Sequence, residues 1–162
     1  MLIPETRDDM LDAVLLVGDI VGSKDQADKV VAEFEKLEQL VTDRLADVAN
    51  EDRALVYMTG NDTLSIQTGD MYQDYLISVA GGIKPGADLM GSSATVSPEQ
   101  ITAWNPDYIF IVSGNADTTE DVLANPQLAQ VKAVTEGNVF KMPSATQGSW
   151  DFPEPRSACT MV

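Results

Sequence analysis

Ser97-Pro98-Glu99-Gln100-Ile101-Thr102-Ala103-Trp104-Asn105-Pro106-Asp107-Tyr108-Ile109-Phe110-Ile111-Val112 joins a capped helix to a buried strand through one short turn. Ser97 is placed to accept from the N–H three residues on, and Pro98 suits the first helical position. Gln100 stands where a capping-box partner would reach back. Pro106 disfavours helical geometry at Asn105 and so ends the helix. Tyr108 to Val112 is short, aromatic and β-branched, the composition of an interior strand in a parallel sheet.

The same grammar extends outward. Met10, Leu11, Val14, Leu15, Val17 and Val21 recur with helical spacing, and Gly18 and Gly22 lie near the end of that run. Ser23 is a candidate cap for a second helix. Along it Ala27, Val30, Val31, Phe34, Leu37, Val41, Leu45 and Val48 form one apolar stripe, which is expected to pack on the sheet of its own domain. Residues 50–53 read as a loop. Strands are expected at Ala54–Met58, Thr63–Ile66, Tyr108–Val112 and Val139–Met142, with Gly60-Asn61-Asp62 turning a hairpin. Helices are expected from Met71 to Val79 and from Thr118 to Ala124, the latter capped by Asp117. A further helical turn is expected over Gln127–Lys132. Strand–helix alternation of this kind predicts an α/β domain: three layers, a mainly parallel sheet flanked by helices (a Rossmann-like lobe), preceded by long helices.

Composition removes several classes. The 162 residues suit one domain, and 44% hydrophobic content supports a core. With 26 acidic against 10 basic residues the net charge is −16, so no nucleic-acid surface and no anionic-membrane surface is expected. No histidine is present, which excludes Ser-His-Asp triads and His-ligated zinc within this chain. Gly18 to Gly22 follows no strand and is no dinucleotide fingerprint. The acidic residues lack EF-hand spacing, and no metal site is expected. Cys159 is the sole cysteine, so no internal disulfide forms. No apolar run reaches membrane-spanning length.

Ligands of open α/β sheets gather at the carboxyl ends of strands. Tyr57 and Met58 end the first strand, Met71 and Tyr72 follow the second, Ser113 follows the Tyr108 strand, and Trp150 and Phe152 follow the last. Aromatic and methionine surface beside small polar groups suits an apolar macrocycle or a planar chelate. The competing reading puts Tyr57 and Met58 in the strand core. Trp150 is the strongest candidate for an exposed aromatic, since its Gly-, Ser- and Pro-rich loop offers little to bury it.

The order of these segments resembles a known family. Ser97 to Val112 is similar to the "vs-x-E-q-l-l-x-x-n-P-D-x-I-i-v" block of class III periplasmic binding proteins, the substrate-binding subunits of ABC importers for iron-siderophores, haem and cobalamin. Asp74 to Gly82 resembles "d-l-l-x-x-a-G-G", Ala133 to Pro143 resembles "A-V-k-n-g-r-V-y-x-v-p", and Trp150 to Ser157 resembles "W-x-f-p-s-P-R-s". Lys24 to Val48 and Ala54 to Met58 fall where the family has a helical segment and the first strand of its C-terminal lobe.

The resemblance implies the C-terminal lobe alone. Residues 1–50 would be the helical lead-in and inter-lobe connection, and residues 51–162 the α/β lobe with its last helix truncated; the N-terminal lobe is missing. It implies no enzyme and no cofactor, but capture of a metal chelate and delivery to an ABC permease. Asp151, or Glu154 beside it, would meet permease arginines, because each lies just before Pro155-Arg156. The parent would be extracytoplasmic, with the signal segment absent from this chain, since acidic residues stand where a signal peptide needs a basic start and an apolar core. The isolated lobe is expected to self-associate. The alternatives are an α/β enzyme domain or subunit acting on a metal tetrapyrrole, and a sensor or interaction domain of the same fold.

Overall fold

The computed structural model describes residues 6–48, 51–60, 63–68, 71–89 and 91–142. The element order is α1 (Arg7–Ile20), α2 (Lys24–Leu45), β1 (Ala54–Gly60), β2 (Thr63–Gln67), α3 (Tyr72–Val79), β3 (Ser93–Thr95), α4 (Pro98–Trp104), β4 (Tyr108–Ile111), α5 (Thr119–Leu123), α6 (Lys132–Glu136) and β5 (Val139–Lys141).

One five-stranded sheet has the order β3-β2-β1-β4-β5. β4 pairs in parallel with both β1 and β5, while β2 runs antiparallel to β1 and to β3. Four strands therefore point the same way and only β2 is reversed. Gly60 pairs with Thr63, which closes the expected hairpin. The α/β class holds, and the sheet is mixed: its β1-β4-β5 part is parallel as expected, while both pairings of β2 are antiparallel.

Strand alternation divides the core between the two faces of the sheet. Leu55 and Tyr57 of β1 and Ile109 and Ile111 of β4 pack with Ile101 of α4, Val122 of α5 and Ala133 of α6. Ala54, Val56 and Val112 pack on the other face with Ile77 of α3. Ile109 and Ile111 are wholly buried. Phe110 and Phe140 stack at 6.0 Å between centroids, and Phe140, on the edge strand, stays half exposed.

The Asn105-Pro106-Asp107 turn ties three elements together. Ser97 Oγ accepts the Gln100 N–H at 3.2 Å, as the sequence implies. Asn105 leaves the helix in the left-handed region, φ 45° and ψ 62°. Its Oδ1 then accepts the Lys132 N–H at 2.9 Å, which caps α6 from outside. Asp107 Oδ2 accepts the Arg53 N–H at 2.7 Å, and Asp107 Oδ1 accepts from Lys132 Nζ at 2.5 Å. The backbone N–H of Arg53 and the cation of Lys132 hold the Asp107 carboxyl below its ordinary range.

Several local expectations need correction. Ser23 precedes α2, but its hydroxyl makes no capping bond. Its backbone N–H instead donates to Gly18 O at 2.7 Å and closes the end of α1. Thr118, not Asp117, caps α5, in a capping box with Asp121. Gln127 to Gln130 forms turns, and the helix begins at Lys132. The stripe of α2 does not lie on the sheet. α2 packs against α1 and touches α3, leaving Leu37, Leu40, Val41 and Val48 exposed. Gly18 explains the close helix pair: a Cβ there would stand 2.4 Å from Ala27 Cβ.

One ionic cluster joins this helical pair to the lobe. Arg7 donates through Nε and Nη2 to Glu38 at 3.1 and 2.6 Å, and Tyr75 OH of α3 donates to the same carboxylate. Burial pushes Glu38 upward, but the Arg7 and Tyr75 hydrogen bonds outweigh it and hold the group below its ordinary value. Burial and the Glu38 contact raise Tyr75 to about 12.

Candidate functional site

The carboxyl ends of β1, β4 and β5 meet at one end of the sheet, because these three strands run together. The loop after β4 is organised there by polar contacts. Asn115 N donates to Val112 O at 2.9 Å, and Thr59 Oγ1 of β1 donates to Asn115 Oδ1 at 2.8 Å. Tyr57 OH donates to Asp117 Oδ2 at 3.1 Å. From β5, Lys141 Nζ donates to the carbonyls of Asn115 and Asp117 at 2.9 and 3.0 Å.

Tyr57 is 1% exposed and belongs to the core under α5, so only its hydroxyl reaches the loop. Burial first, and the Asp117 carboxylate second, raise its phenol well above the ordinary range. Met58 is half-buried on the opposite face, against the Ala54–Val56–Ile77–Val112 cluster. Ser113 is half-buried beside the loop. Thus Tyr57, Met58 and Ser113 share one end of the sheet, with Tyr57 and Met58 on different faces.

Met71 and Tyr72 follow a different path. Tyr57 pairs with Ile66, so the carboxyl end of reversed β2 lies toward the amino end of β1. The strand-end argument therefore applies to Tyr57, Met58 and Ser113 and not to Met71 and Tyr72. Met71 forms an isolated bridge with Thr6 at the start of α1. Tyr72 stacks on Tyr75 at 6.4 Å, and burial followed by nearby Glu38 raises its phenol. Trp150, Asp151, Phe152 and Glu154 lie outside the described residues.

Asp117 was read from the sequence only as a helix cap and Lys141 was given no role, although the parallel pairing of Ile111 with Lys141 puts the latter at the same strand end. Asn115, 9% exposed, keeps a buried Nδ2 with no hydrogen-bond partner among the described residues. Two cavities lie elsewhere. One of about 390 Å³ is lined by Thr6, Arg7, Asp8, Tyr75, Ser78 and Lys84. Its Arg7 is already engaged by Glu38 and Asp8. The other, about 320 Å³, lies along Asp88, Thr95, Ser97 and Trp104. Neither contains an expected site residue. Among the described residues no group of three or more Cys, Asp or Glu side chains is placed to hold a metal ion, and no helix is long and apolar enough to cross a membrane.

Comparison with known proteins places this geometry in a family. The molybdate-binding protein MolA of Haemophilus influenzae is 26% identical over 151 residues, covering 93% of this chain and 42% of that protein. The petrobactin-binding protein YclQ of Bacillus subtilis is 30% identical over 132 residues, covering 75% of this chain and 41% of its own length. The chain thus spans less than half the length of these relatives. The crystal structure of an ABC transporter substrate-binding protein from Listeria monocytogenes superposes with a TM-score of 0.76 at 17% identity, over 86% of this chain and 56% of that one. At that identity the likeness concerns the fold alone. A family model described as periplasmic binding protein matches residues 1–146. Taken with the lobe-like sheet and its clustered strand ends, this match makes the chain a member of the periplasmic binding protein family.

Proposed function

We propose that this chain is the C-terminal lobe of a two-lobed substrate-binding protein that captures a metal chelate and delivers it to an ABC permease. Residues 1–50 serve as the connection between lobes and residues 51–162 as the lobe itself. The ligand class is a ferric siderophore, haem or corrinoid, and the parent works outside the cytoplasm. The observation that carries the reading is the family match across residues 1–146, on a chain less than half as long as its matched relatives. The relatives named for molybdate and for an iron-uptake system support a metal-containing ligand.

A single lobe encloses a ligand on one side only, so much of the ligand surface stays in water. Titration of this chain with haem, cyanocobalamin and ferric siderophores should give dissociation constants at least about a hundredfold weaker than a two-lobed protein containing it, roughly 3 kcal/mol of lost contact. Equal affinity would place the whole site within this chain and overturn the half-cleft reading. Absence of binding by both proteins would overturn chelate capture.

We also propose that the isolated chain self-associates. α1 and the residue after it leave Leu16, Val17, Ile20 and Val21 exposed, and α2 leaves Leu37, Leu40 and Val41 exposed, with Val48 just beyond it. Apolar surface on this scale favours association. Sedimentation velocity should detect a dimer or larger species, and replacing Val17 and Ile20 with Glu should restore the monomer. A monomer for the unaltered chain at high concentration would refute this.

A further inference from the structure

The loop between β4 and α5, and the end of β5 beside it, carry two features that are only partly used in holding the loop. The first is Lys141. Ten Lys and Arg residues occur in a chain of net charge −16. Among the described residues of β1, β4, β5 and the loop after β4, Lys141 is the only cation. Arg53 precedes β1, and Lys132 is bound to Asp107 at the opposite end. Lys141 is exposed, and Nζ spends two of its three donors on the carbonyls of Asn115 and Asp117. One donor and the positive charge remain, on an ammonium already held in place. The second feature is Asn115. Its N–H, C=O and Oδ1 are all engaged, by Val112, Lys141 and Thr59, and only the buried Nδ2 has no partner. A buried donor left without an acceptor is costly, and folded proteins keep few of them. The two features meet at one place, Lys141 at the end of β5 and Asn115 on the loop that it holds, and both offer donors.

We propose that Asn115 and Lys141 form a polar anchor for an anionic, oxygen-rich group of the ligand. The group is an oxoanion or the anionic oxygens of a chelate such as a catecholate. This rests on the chelate-capture reading above and deepens it. Fixed donors bind such a group with little further loss of side-chain freedom. A cation at this strand end of an otherwise acidic protein, with Asp121 near enough to feel its charge, also gives charge selection: it favours one orientation of an anionic ligand while the remaining surface repels it. An acceptor brought to Asn115 Nδ2 would relieve the unpaired donor.

The test is ligand titration of the 15N-labelled chain with sodium molybdate, with the diamagnetic gallium tris-catecholate, and with neutral cyanocobalamin. The side-chain amide of Asn115 should shift with an anionic ligand and not with cyanocobalamin. Lys141→Gln should weaken anionic binding about tenfold, the loss of one charge-assisted contact, and should flatten its salt dependence. Lys141→Arg should restore both. Response to molybdate alone identifies a free oxoanion, and response to the gallium complex alone identifies a chelate. If an anionic ligand binds while the Asn115 amide stays still and Lys141→Gln binds equally well, the anchor is overturned and chelate capture stands. Binding of cyanocobalamin alone has the same meaning. If neither this chain nor a two-lobed protein containing it binds any of the three, the chelate reading falls and the anchor falls with it.

Discussion

Ile109→Ala should remove about 2–5 kcal/mol of folding stability, the range for truncating a large aliphatic side chain in a packed core. Ile109 is wholly buried in β4, which is flanked on both sides, pairing with Leu55 of β1 and Val139 of β5. Its side chain lies in the cluster that α4, α5 and α6 cover, so neighbours from five elements would border the cavity. A domain of this size holds only about 5–15 kcal/mol in total, so the loss is a large share of it. Urea unfolding followed by circular dichroism would measure the shift. Ile109→Val should cost about 0.5–1.5 kcal/mol, because one methyl leaves a smaller void. Phe140→Ala, on a half-exposed edge-strand side chain, should cost less than Ile109→Ala. Equal costs at positions 109 and 140 would mean that the described core is not the one that holds the fold.

Asp107→Ala should cost about 2 kcal/mol and should also change the response to acid. The Asp107 carboxylate is 15% exposed and accepts from the Arg53 N–H and from Lys132 Nζ, so its removal frees the start of β1 and the start of α6 together. The folded-state pKa of Asp107 lies below its ordinary 3.8. Its contribution is therefore complete above the unfolded value and is lost as pH falls through the folded one. The parent protein should lose stability below about pH 4 through this group, and Asp107→Ala should lack that portion of the acid transition. Asp107→Asn separates charge from shape: the amide keeps one acceptor for Arg53 N–H but loses the ion pair. A variant as stable as the parent at neutral pH, with an unchanged acid limb, would show that this junction contributes nothing measurable.

The parts of the fold that could be read from sequence are those written locally. The Ser97 cap, the Pro106 stop and the aromatic, β-branched run after it lie within sixteen residues, and each acts on its neighbours. β3 escaped because Ser93-Ala94-Thr95 has no apolar alternation; it is a strand only through its pairing with β2. α6 escaped because its first residue, Lys132, is capped by Asn105 from twenty-seven positions away, while Val131 before it offers no capping side chain. The stripe of α2 announced an apolar face, but periodicity does not name what covers a face, and α1 takes only part of it. At the candidate site the strand-end rule placed Met58 and Ser113 at the end of the sheet where β1 and β4 finish. For Tyr57 it left the core reading open, and alternation with Leu55 puts the ring in the core with only the hydroxyl at the loop; nor could it see that β2 runs backwards. The Asn115–Lys141 contact spans 26 positions and depends on parallel register, which one sequence does not reveal.

The two outermost strands, β3 and β5, are only three residues long. Each presents about 10 Å of unpaired ladder, less than two strand repeats. Ser93 and Thr95 are exposed on one rim, and Lys141 on the other. Long, flat, apolar rims template edge-to-edge growth, and short polar ones blunt it. Among the described residues, the sheet is thus poorly suited to recruit another chain by strand addition. Among the described residues, most of the exposed apolar surface lies on α1 and α2, where contacts cannot propagate as a cross-β ladder, with Phe140 the exception on the β5 rim.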